Sequence, residues 1–432
     1  MSQSNKYNKP AWIFILLILM VPLAQEQFQF FKIKKLNGTF IQYNKPHLTT
    51  NNWLNKSYQD TMENYSRLNF GFSSLLTRIH NQYIFQVFGA TRSPSVVIGK
   101  QNEIYDYGHI QSYLGTDYVG EDVIRNKIQL LDEIQTSLQP FGINLVIVIT
   151  PSKPSFVPEY LPNEYTRKGG INNYDMYNQL LTKSTLPYIN YSSLYHQWKG
   201  SEQYPLFPQC GVHWSEYGAT LAADSMIHYF EHLRNINLPD MGIDSIVLSE
   251  NLSESDYDMG SILNLLYPIK AKPMGYPQLK INETTEHKRF NLLSIADSYY
   301  WIWFNKVGFN QKFFSNSRFL EYYSKAHLSN GEVKNVKELN IIDEVLASDV
   351  ILILGSESNL YRMGYGFVEE FHQLIPEVKK IYKTKLNEYK KGIIQDKAWY
   401  ESIVNKAKQK SISVDSMLTI DAIYLIQHER DK

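Results

Sequence analysis

Between residues 91 and 366 the chain alternates short, mostly apolar runs with longer stretches of helical periodicity, and this alternation restricts its fold more than any other feature. Continuous apolar runs are typical of strands that are covered on both faces. The runs lie at 95–99, 144–150, 187–191, 290–296 and 349–354, and the helical stretches at 123–138, 173–181 and 216–233. Strands that alternate with helices in this way predict an α/β domain with a parallel sheet and helices on both of its faces.

The N-terminus carries an uncharged apolar run at residues 11–24, preceded by Lys6 and Lys9. As a helix this run spans about 21 Å, less than the roughly 30 Å hydrocarbon core of a bilayer. It therefore indicates either a signal-peptide core or a short signal-anchor extended by residues 25–31. Pro22 makes a poor cleavage site at the end of the run, which favours an uncleaved transmembrane anchor. Either way, residues 30–432 are expected outside the cytoplasm, in the periplasm or at the cell surface.

The C-terminal part differs from the middle of the chain. Beyond residue 366 no strand-like run occurs, only charged sequence with helical periodicity, and we expect helices that pack on the α/β domain. The sequence therefore predicts four parts: a signal-anchor at 1–30, a helical N-terminal extension at 31–90, the α/β domain at 91–366 and a C-terminal helical region at 367–432.

The charge balance and the single cysteine exclude several kinds of ligand. The chain has 43 basic and 43 acidic residues, so it lacks the basic surplus that nucleic acid binding requires. With Cys210 alone, neither an internal disulfide nor a thiolate zinc cluster is possible. Asp256 and Asp258 lie two residues apart, but no glycine-hinged calcium loop follows, and we expect them to begin a helix at 261–266. The sequence thus predicts no metal site and no cofactor.

Polar side chains follow three of the predicted strands, where the strands end. They are Lys153 after 144–150, Asp297 and Ser298 after 290–296, and Asn359 in a serine-rich turn after 349–354. Because ligands bind outside the carboxyl ends of parallel strands, we expect these residues to converge on one crevice. Turns are ordinarily rich in Ser, Asn and Gly, so each turn alone is weak evidence.

Ser298 stands at a turn between a buried strand and a helix. At such a turn a hydroxyl points above the sheet, and the free N–H groups of the helix N-terminus can stabilise an oxyanion. A serine nucleophile still needs a base, since a hydroxyl is unreactive at neutral pH. The alternative is that Ser298 only caps the helix, and this pattern alone leaves both interpretations open.

His213 is a candidate for that base. It lies beside Trp214 on a loop, immediately before a helix for which Ser215 is a good N-cap. A lone histidine is more often structural than catalytic, so its position is what recommends it. Cys210 is a rival nucleophile in the same loop, but no evident charge activates it.

Taken together, these motifs resemble the AlgJ/AlgX group of SGNH-hydrolase-like proteins, which are extracytoplasmic O-acetyltransferases of bacterial exopolysaccharide. The resemblance covers roughly residues 36–366. It rests on the Asp297-Ser298 turn and on His213-Trp214-Ser215 followed by Gly218-Ala219, with 97–100, 150–159 and the apolar N-terminus in agreement. It implies a three-layer αβα fold, Ser298 as the nucleophile that accepts the acetyl group and His213 as the base.

One position departs from the family pattern. The family has an aspartate two residues before the histidine, which orients the imidazole, and this chain has Gly211 there. Loss of such a carboxylate can cost about 10⁴ in rate in the Ser-His-Asp template. Candidates to replace it are Glu216, Glu357 or a backbone carbonyl, and the sequence does not choose among them. Asp297 is expected to brace its turn through backbone N–H groups, because adjacent side chains point apart.

Three functions are therefore open. The first is an O-acetyltransferase that modifies an exported polysaccharide and receives acetyl from a membrane-bound O-acyltransferase, since acetyl-CoA is not available outside the cytoplasm. The second is a carbohydrate esterase of the same fold, with water as the acceptor. The third is a catalytically silent binding or assembly subunit of a glycan export complex, suggested by Gly211. We expect the first, with Lys153, Asp297 and Asn359 as supporting polar groups.

Overall fold

The computed structural model of the chain describes residues 8–38 and 43–431. Lys6, which belongs to the predicted signal segment, lies outside the described residues. The chain divides into two compact units: one is Met1–Ile98 with Asp258–Lys270, and the other is Gly99–Tyr257 with Ala271–Lys432. The domain boundaries inferred at residues 30, 90 and 366 stay predictions.

The strands of the described residues, in chain order, are β1 Val96–Ile98, β2 Ile104–Asp106, β3 Asn144–Thr150, β4 Tyr188–Asn190, β5 Asp240–Ser249, β6 Met274–Asn282, β7 Leu292–Ala296, β8 Ser317–Glu321, β9 Lys325–Leu328, β10 Val333–Asn335 and β11 Val350–Ser356. Strand β3 has the predicted bounds, and β1, β4, β7 and β11 overlap the other four predicted runs.

The α-helices are α1 Asn8–Phe28, α2 Thr50–Leu54, α3 Ser57–Asn69, α4 Ser73–Phe88, α5 Tyr107–Leu114, α6 Glu121–Leu138, α7 Lys153–Phe156, α8 Asn173–Leu181, α9 Tyr191–Trp198, α10 Glu216–Arg234, α11 Asp258–Ile262, α12 Tyr300–Ile302, α13 Phe309–Phe313, α14 Ile341–Leu346, α15 Phe367–Gln395, α16 Lys397–Gln409 and α17 Val414–Gln427. Ser215 caps α10 as expected, because its Oγ accepts from the Gly218 N–H at 2.9 Å. The helix predicted at 261–266 is wrong in its bounds: α11 ends at Ile262, and Asn264 then adopts a left-handed φ of 49° that a helix cannot continue.

A seven-stranded sheet organises the second unit, in the order β10-β9-β8-β7-β11-β3-β4. Strands β8, β7, β11, β3 and β4 are parallel, which confirms the predicted parallel core. Strands β9 and β10 are antiparallel, so the sheet as a whole is mixed rather than parallel. The reason is the short connection between β8 and β9, since a parallel pairing needs a crossover of a dozen or more residues.

Two apolar cores lie on the two faces of this sheet, and successive residues of each central strand alternate between them. In β11, Leu352 and Leu354 belong to one core, whereas Ile351 and Ile353 belong to the other. Helices α9 and α10 and the segment 299–314 cover the first face, while α6, α8, α14 and α15 cover the second. This is the three-layer αβα arrangement, and it brings the carboxyl ends of β3, β7 and β11 to one edge.

The C-terminal helices form the predicted appendage, with a small core of their own. Ile393, Ile403 and Ala407 pack there with Met417 and Ala422. Helix α15 and the end of α17 also reach the main core. Strands β5 and β6, which the sequence did not predict, pair as an antiparallel ribbon beside α10.

The first unit contains the apolar N-terminal helix. Helix α1 has 21 residues, about 31 Å, so it is longer than the uncharged run and matches the thickness of a bilayer core. Among the described residues, only its stretch Lys9–Phe28 is long and apolar enough to cross a membrane, and it is almost wholly unburied. These properties are compatible with a signal-anchor. Polar contacts connect distant segments of this unit. The Arg78 guanidinium, for example, donates to the carbonyls of Lys35 (2.8 Å) and Leu265 (3.2 Å).

Candidate active site

Ser298 lies directly after β7 and faces His213. The hydrogen bond between Ser298 Oγ and His213 Nε2 measures 2.8 Å. The Ser298 hydroxyl does not cap the helix that follows, whose first turn has no side-chain cap. Since the imidazole Nε2 can accept the hydroxyl proton, the pair has the arrangement of a serine nucleophile and its base.

Two aromatic side chains, Trp214 and Tyr299, connect the loop of His213 with the turn of Ser298 through hydrogen bonds and ring contacts. Trp214 Nε1 donates to the Tyr299 carbonyl at 3.1 Å, and the Tyr299 hydroxyl donates to the Val212 carbonyl at 3.1 Å. The rings of His213 and Tyr299 meet edge to face, with centroids 5.0 Å apart. Trp214 and Tyr299 are buried, so the relative position of Ser298 and His213 is set by core packing.

Tyr322 is a site residue that the sequence analysis missed. Its hydroxyl donates to Ser298 Oγ at 3.0 Å and accepts from the Ser298 N–H at 3.2 Å. Burial, with the Asp297 carboxylate as a second cause, raises the pKa of Tyr322, so the phenol stays a proton donor at neutral pH. It lies in the turn between β8 and β9 with a positive φ of 47°, and no local pattern in the sequence marks it.

Asp297 joins the ends of β7 and β11. Its Oδ2 accepts from the Ser356 N–H at 2.8 Å and from Asn359 Nδ2 at 2.9 Å, while its Oδ1 accepts from the Tyr299 N–H at 3.1 Å. The carboxylate is fully buried, and these three donors compensate its charge. Asp297 and Asn359 therefore support the turn that carries Ser298.

Lys153 binds the backbone of the His213 loop from within the core. Its Nζ is buried and donates to carbonyls on one side of the His213 loop, those of Pro208 (2.7 Å), Gln209 (2.7 Å) and Gly211 (3.3 Å). It also donates to the Ile104 carbonyl at 2.8 Å and pairs with Glu103 at 3.0 Å. Lys153 therefore does not converge on the crevice as expected: its side chain is buried, is not among the residues that line the cleft, and binds the backbone of the His213 loop instead.

Gly211 has no room for the aspartate of the family pattern. A Cβ atom at this position would lie 2.6 Å from Pro208 Cγ, 2.9 Å from the Ser255 carbonyl oxygen and 3.2 Å from the backbone carbon of Asp256. The chain at Ser255 and Asp256 thus occupies the place of the missing side chain. The glycine is required here by this close approach of two backbones.

We expect that restoring the family residue by Gly211→Asp lowers activity rather than raising it. The new side chain must displace Pro208 or the Ser255 backbone, and even Gly211→Ala should cost about 1–3 kcal/mol by overpacking. Thermal unfolding and turnover of both variants measure this. Gly392→Ala is the matched control: nothing lies within 4 Å of its Cβ position in α15, so we expect no loss or a gain of about 0.5–1 kcal/mol. A fully stable, active Gly211→Asp protein contradicts the packing argument.

The carboxylates named as candidates to orient His213 have other contacts. Glu216 pairs with Lys306 at 3.1 Å. Glu357 is buried and accepts hydrogen bonds from Ser152 (2.8 Å) and from Ser192. Burial raises the pKa of Glu357, while the serine hydroxyls act in the opposite direction. These partners of the two carboxylates are thus a lysine and serines rather than the His213 imidazole.

Cys210 is fully buried. Over residues 8–38 and 43–431, no group of three or more His, Cys, Asp or Glu side chains is arranged to hold a metal ion.

A cleft of about 460 Å³ opens at Ser298 and His213. Its other side is formed by α5, by the turn that follows β11 and by the neighbouring loops. The residues that line it are Asp106, Gly108, His109, Gln111, Ser112, Asp117, Val212, His213, Ser298, Tyr322, Ser358, Asn359 and Tyr361. A cleft of this size at the carboxyl edge of the sheet is large enough for a small ligand beside the hydroxyl of Ser298.

An αβα sandwich with a serine after a central parallel strand and a histidine from a neighbouring loop is the framework of a serine-dependent acyl-transfer or hydrolytic protein. Comparison with known families specifies the class: residues 111–288 match the family described as SGNH hydrolase-like domain, acetyltransferase AlgX. This stretch of the chain is thus similar to the SGNH hydrolase-like domain of AlgX, in agreement with the resemblance noted in the sequence. The matched stretch includes His213 and ends before Ser298.

One curated relative is "Probable alginate O-acetylase AlgJ" of Pseudomonas putida, which is 25% identical over 176 residues. The match spans 40% of this chain and 43% of that relative, so the chain corresponds to less than half of the relative's length. Among solved structures, the O-acetyltransferase domain of Pseudomonas putida AlgJ aligns with a TM-score of 0.43 at 13% identity, over 65% of this chain and 98% of that chain. Bacillus cereus PatB1 with a sulfonyl adduct aligns with a TM-score of 0.39 at 12% identity, over 57% of this chain and 93% of that chain.

Proposed function

We propose that the protein is an O-acetyltransferase that modifies an exported polysaccharide outside the cytoplasm. The observation that carries this proposal is the 2.8 Å hydrogen bond between Ser298 Oγ and His213 Nε2 at the end of β7, facing an open cleft. The description of the matched family as an acetyltransferase supports acyl transfer as the reaction. The name of the curated relative, an alginate O-acetylase, supports a polysaccharide acceptor.

The first half-reaction loads the enzyme. Ser298 Oγ attacks the carbonyl carbon of an acetyl ester while His213 Nε2 takes the hydroxyl proton. The bond to the donor's leaving oxygen breaks, and the imidazolium returns the proton to that oxygen. Tyr322, whose hydroxyl already touches Ser298 Oγ, and the Ser298 N–H are the donors nearest to the oxyanion that develops.

The second half-reaction transfers the acetyl group to the sugar. A hydroxyl of the acceptor attacks the acetyl carbon, and His213 takes its proton. The ester bond to Ser298 Oγ breaks, and the same proton returns to that oxygen. The chain therefore ends the cycle unchanged, with the acetyl group on the glycan and no cofactor consumed.

A membrane-bound O-acyltransferase is the proposed source of acetyl. Helix α1 is compatible with a signal-anchor, which would tether the chain to a membrane. Because acetyl-CoA is not available outside the cytoplasm, the donor has to be loaded across the membrane by another protein. In this proposal the bulk of the chain lies on the extracytoplasmic side and is anchored by its N-terminus.

One observation and one measurement separate this proposal from its alternatives. The intact hydrogen bond between His213 and Ser298 disfavours a silent assembly subunit, since nothing in a purely structural role requires a nucleophile and base in contact. An esterase of the same fold differs only in using water as the acceptor. Acetyl content of the exported glycan distinguishes transfer from hydrolysis.

The test compares the native host with strains that carry Ser298→Ala or His213→Ala in the full chain. We expect both strains to export glycan that has lost its acetyl groups, measured as acetate released by mild alkali. Ser329→Ala, at an exposed serine of the β9–β10 turn, is the matched control and should retain wild-type acetylation. Unchanged acetyl content in both site variants, at equal protein abundance, excludes the proposal and leaves the assembly role.

A further inference from the structure

The cleft continues past Ser298 towards helix α5, and polar and acidic side chains line this second half. It is lined by Asp106, His109, Ser112 and Asp117, with Ser358 opposite. None of these residues belongs to the Ser298–His213 pair or to its supports Asp297 and Lys153. We call this half of the cleft the α5 side.

The α5 side carries negative charge. Two carboxylates line it: Asp106, whose Oδ1 accepts from the His109 N–H at 3.1 Å, and Asp117, which accepts from Ser112 Oγ and from Asn173 Nδ2. Among the described residues that line the cleft there is no lysine or arginine. His109 Nε2 contacts Ser358 Oγ at 3.0 Å, so an imidazole and a hydroxyl add hydrogen-bonding groups to this surface.

One cation, Arg362, contacts three of the residues that line the cleft. Its guanidinium stacks against the rings of Tyr322 (5.1 Å) and Tyr361 (5.4 Å). Its Nε and Nη2 donate to Asn359 Oδ1 at 3.1 and 2.8 Å. The ring of Tyr361 is 45% exposed and offers an apolar face at the mouth of the cleft.

We infer that the α5 side is the acceptor subsite and that it selects an uncharged sugar over a uronate. The inference rests on the proposed function and specifies its substrate class. Carboxylate, hydroxyl and imidazole groups match the hydroxyls of a neutral sugar as hydrogen-bond partners. A uronate carboxylate in the same place meets Asp106 and Asp117 at short range, and this like-charge repulsion acts against the wrong acceptor. The exposed face of Tyr361 suits the apolar face of a sugar ring.

The experiment uses the purified full chain in detergent with an aryl acetate as donor. Acetyl-Ser298, detected by mass spectrometry, reports the proposed function independently of any sugar. Acceptors of equal length, a neutral β-glucan oligosaccharide and an oligomannuronate, are then compared by the rate at which acetylated sugar appears. At low salt we expect transfer to the neutral sugar to be at least about tenfold faster, and the ratio to shrink as salt rises to about 0.5 M.

Two variants test the electrostatic origin of the preference. Asp106→Asn keeps a residue that can cap α5, so its fold should persist, and we expect the rate on the oligomannuronate to rise about three- to tenfold relative to the neutral sugar. A different result overturns the inference: transfer to the oligomannuronate is at least as fast as transfer to the neutral sugar, and Arg362→Gln abolishes it. In that case the Arg362 guanidinium recognises the acceptor. Acetyl-Ser298 that forms but passes to neither sugar overturns it as well, whereas absence of acetyl-Ser298 refutes the proposed function itself.

Discussion

Ser298→Ala is expected to abolish formation of the acetyl-enzyme from an aryl acetate, and His213→Ala to slow it by a comparable factor. The two side chains act as a unit through their 2.8 Å hydrogen bond, and removing either member of such a pair costs about 10³- to 10⁶-fold in rate. Rapid-mixing measurement of the burst, together with mass spectrometry of the intact chain, follows the effect. The double variant should be no slower than either single variant, because the effects are not additive.

The control for this expectation is Ser294→Ala. Ser294 lies in β7, four residues before Ser298, and it is buried. Its hydroxyl donates to the Tyr300 hydroxyl at 2.8 Å and not to His213. We expect this variant to lose about 0.5–1.5 kcal/mol of stability for one buried hydrogen bond, since the Tyr300 hydroxyl keeps its bond to Asn310 Oδ1, and to keep its burst. A burst that survives in Ser298→Ala and disappears in Ser294→Ala contradicts the assignment of the nucleophile.

Lys153→Met is expected to destabilise the second unit by about 3–5 kcal/mol. The lysine is 1% exposed, and its removal leaves the buried Glu103 carboxylate without its cation and several buried carbonyls without a donor. Urea unfolding followed by fluorescence reads this directly, since Trp214 and Trp303 are buried in the same unit. Activity should fall further than stability alone explains, because the Gly211 carbonyl that Lys153 holds is two residues from His213.

Lys334→Met is the matched control for the loss of a charged pair. Lys334 pairs with Glu332 at 3.3 Å on the surface, where such pairs are worth about 0–1 kcal/mol. Adding Glu103→Gln to Lys153→Met should recover part of the lost stability, because it removes the unpaired buried charge. If Lys153→Met unfolds at the same urea concentration as Lys334→Met, the buried pair does not support the histidine loop.

The parts of the fold that the sequence predicted well are those in which one strand or helix determines its own pattern. Strand β3 is buried on both faces, so its apolar run appears without interruption and its bounds follow directly. The C-terminal helices were predicted for the same reason, since their periodicity needs no partner to be read. The strands that were missed are β2, β5, β6, β8, β9 and β10. Strands β2, β9 and β10 have only three or four residues, and β5 and β6 are partly exposed, so their patterns are weak. Strand β8 is buried, but its apolar run is interrupted by Arg318.

The site shows the same division. By itself the sequence determined that a serine follows a central strand and that a histidine precedes a capped helix, because both positions are local turn features. Only the tertiary structure decided that their side chains lie 2.8 Å apart and that the Tyr322 hydroxyl donates to Ser298 Oγ. It also decided that the buried Lys153 binds the backbone of the histidine loop. The reason is physical: hydrogen bonds between residues 24 to 85 positions apart depend on the register and packing of whole elements, and local sequence patterns carry no record of them.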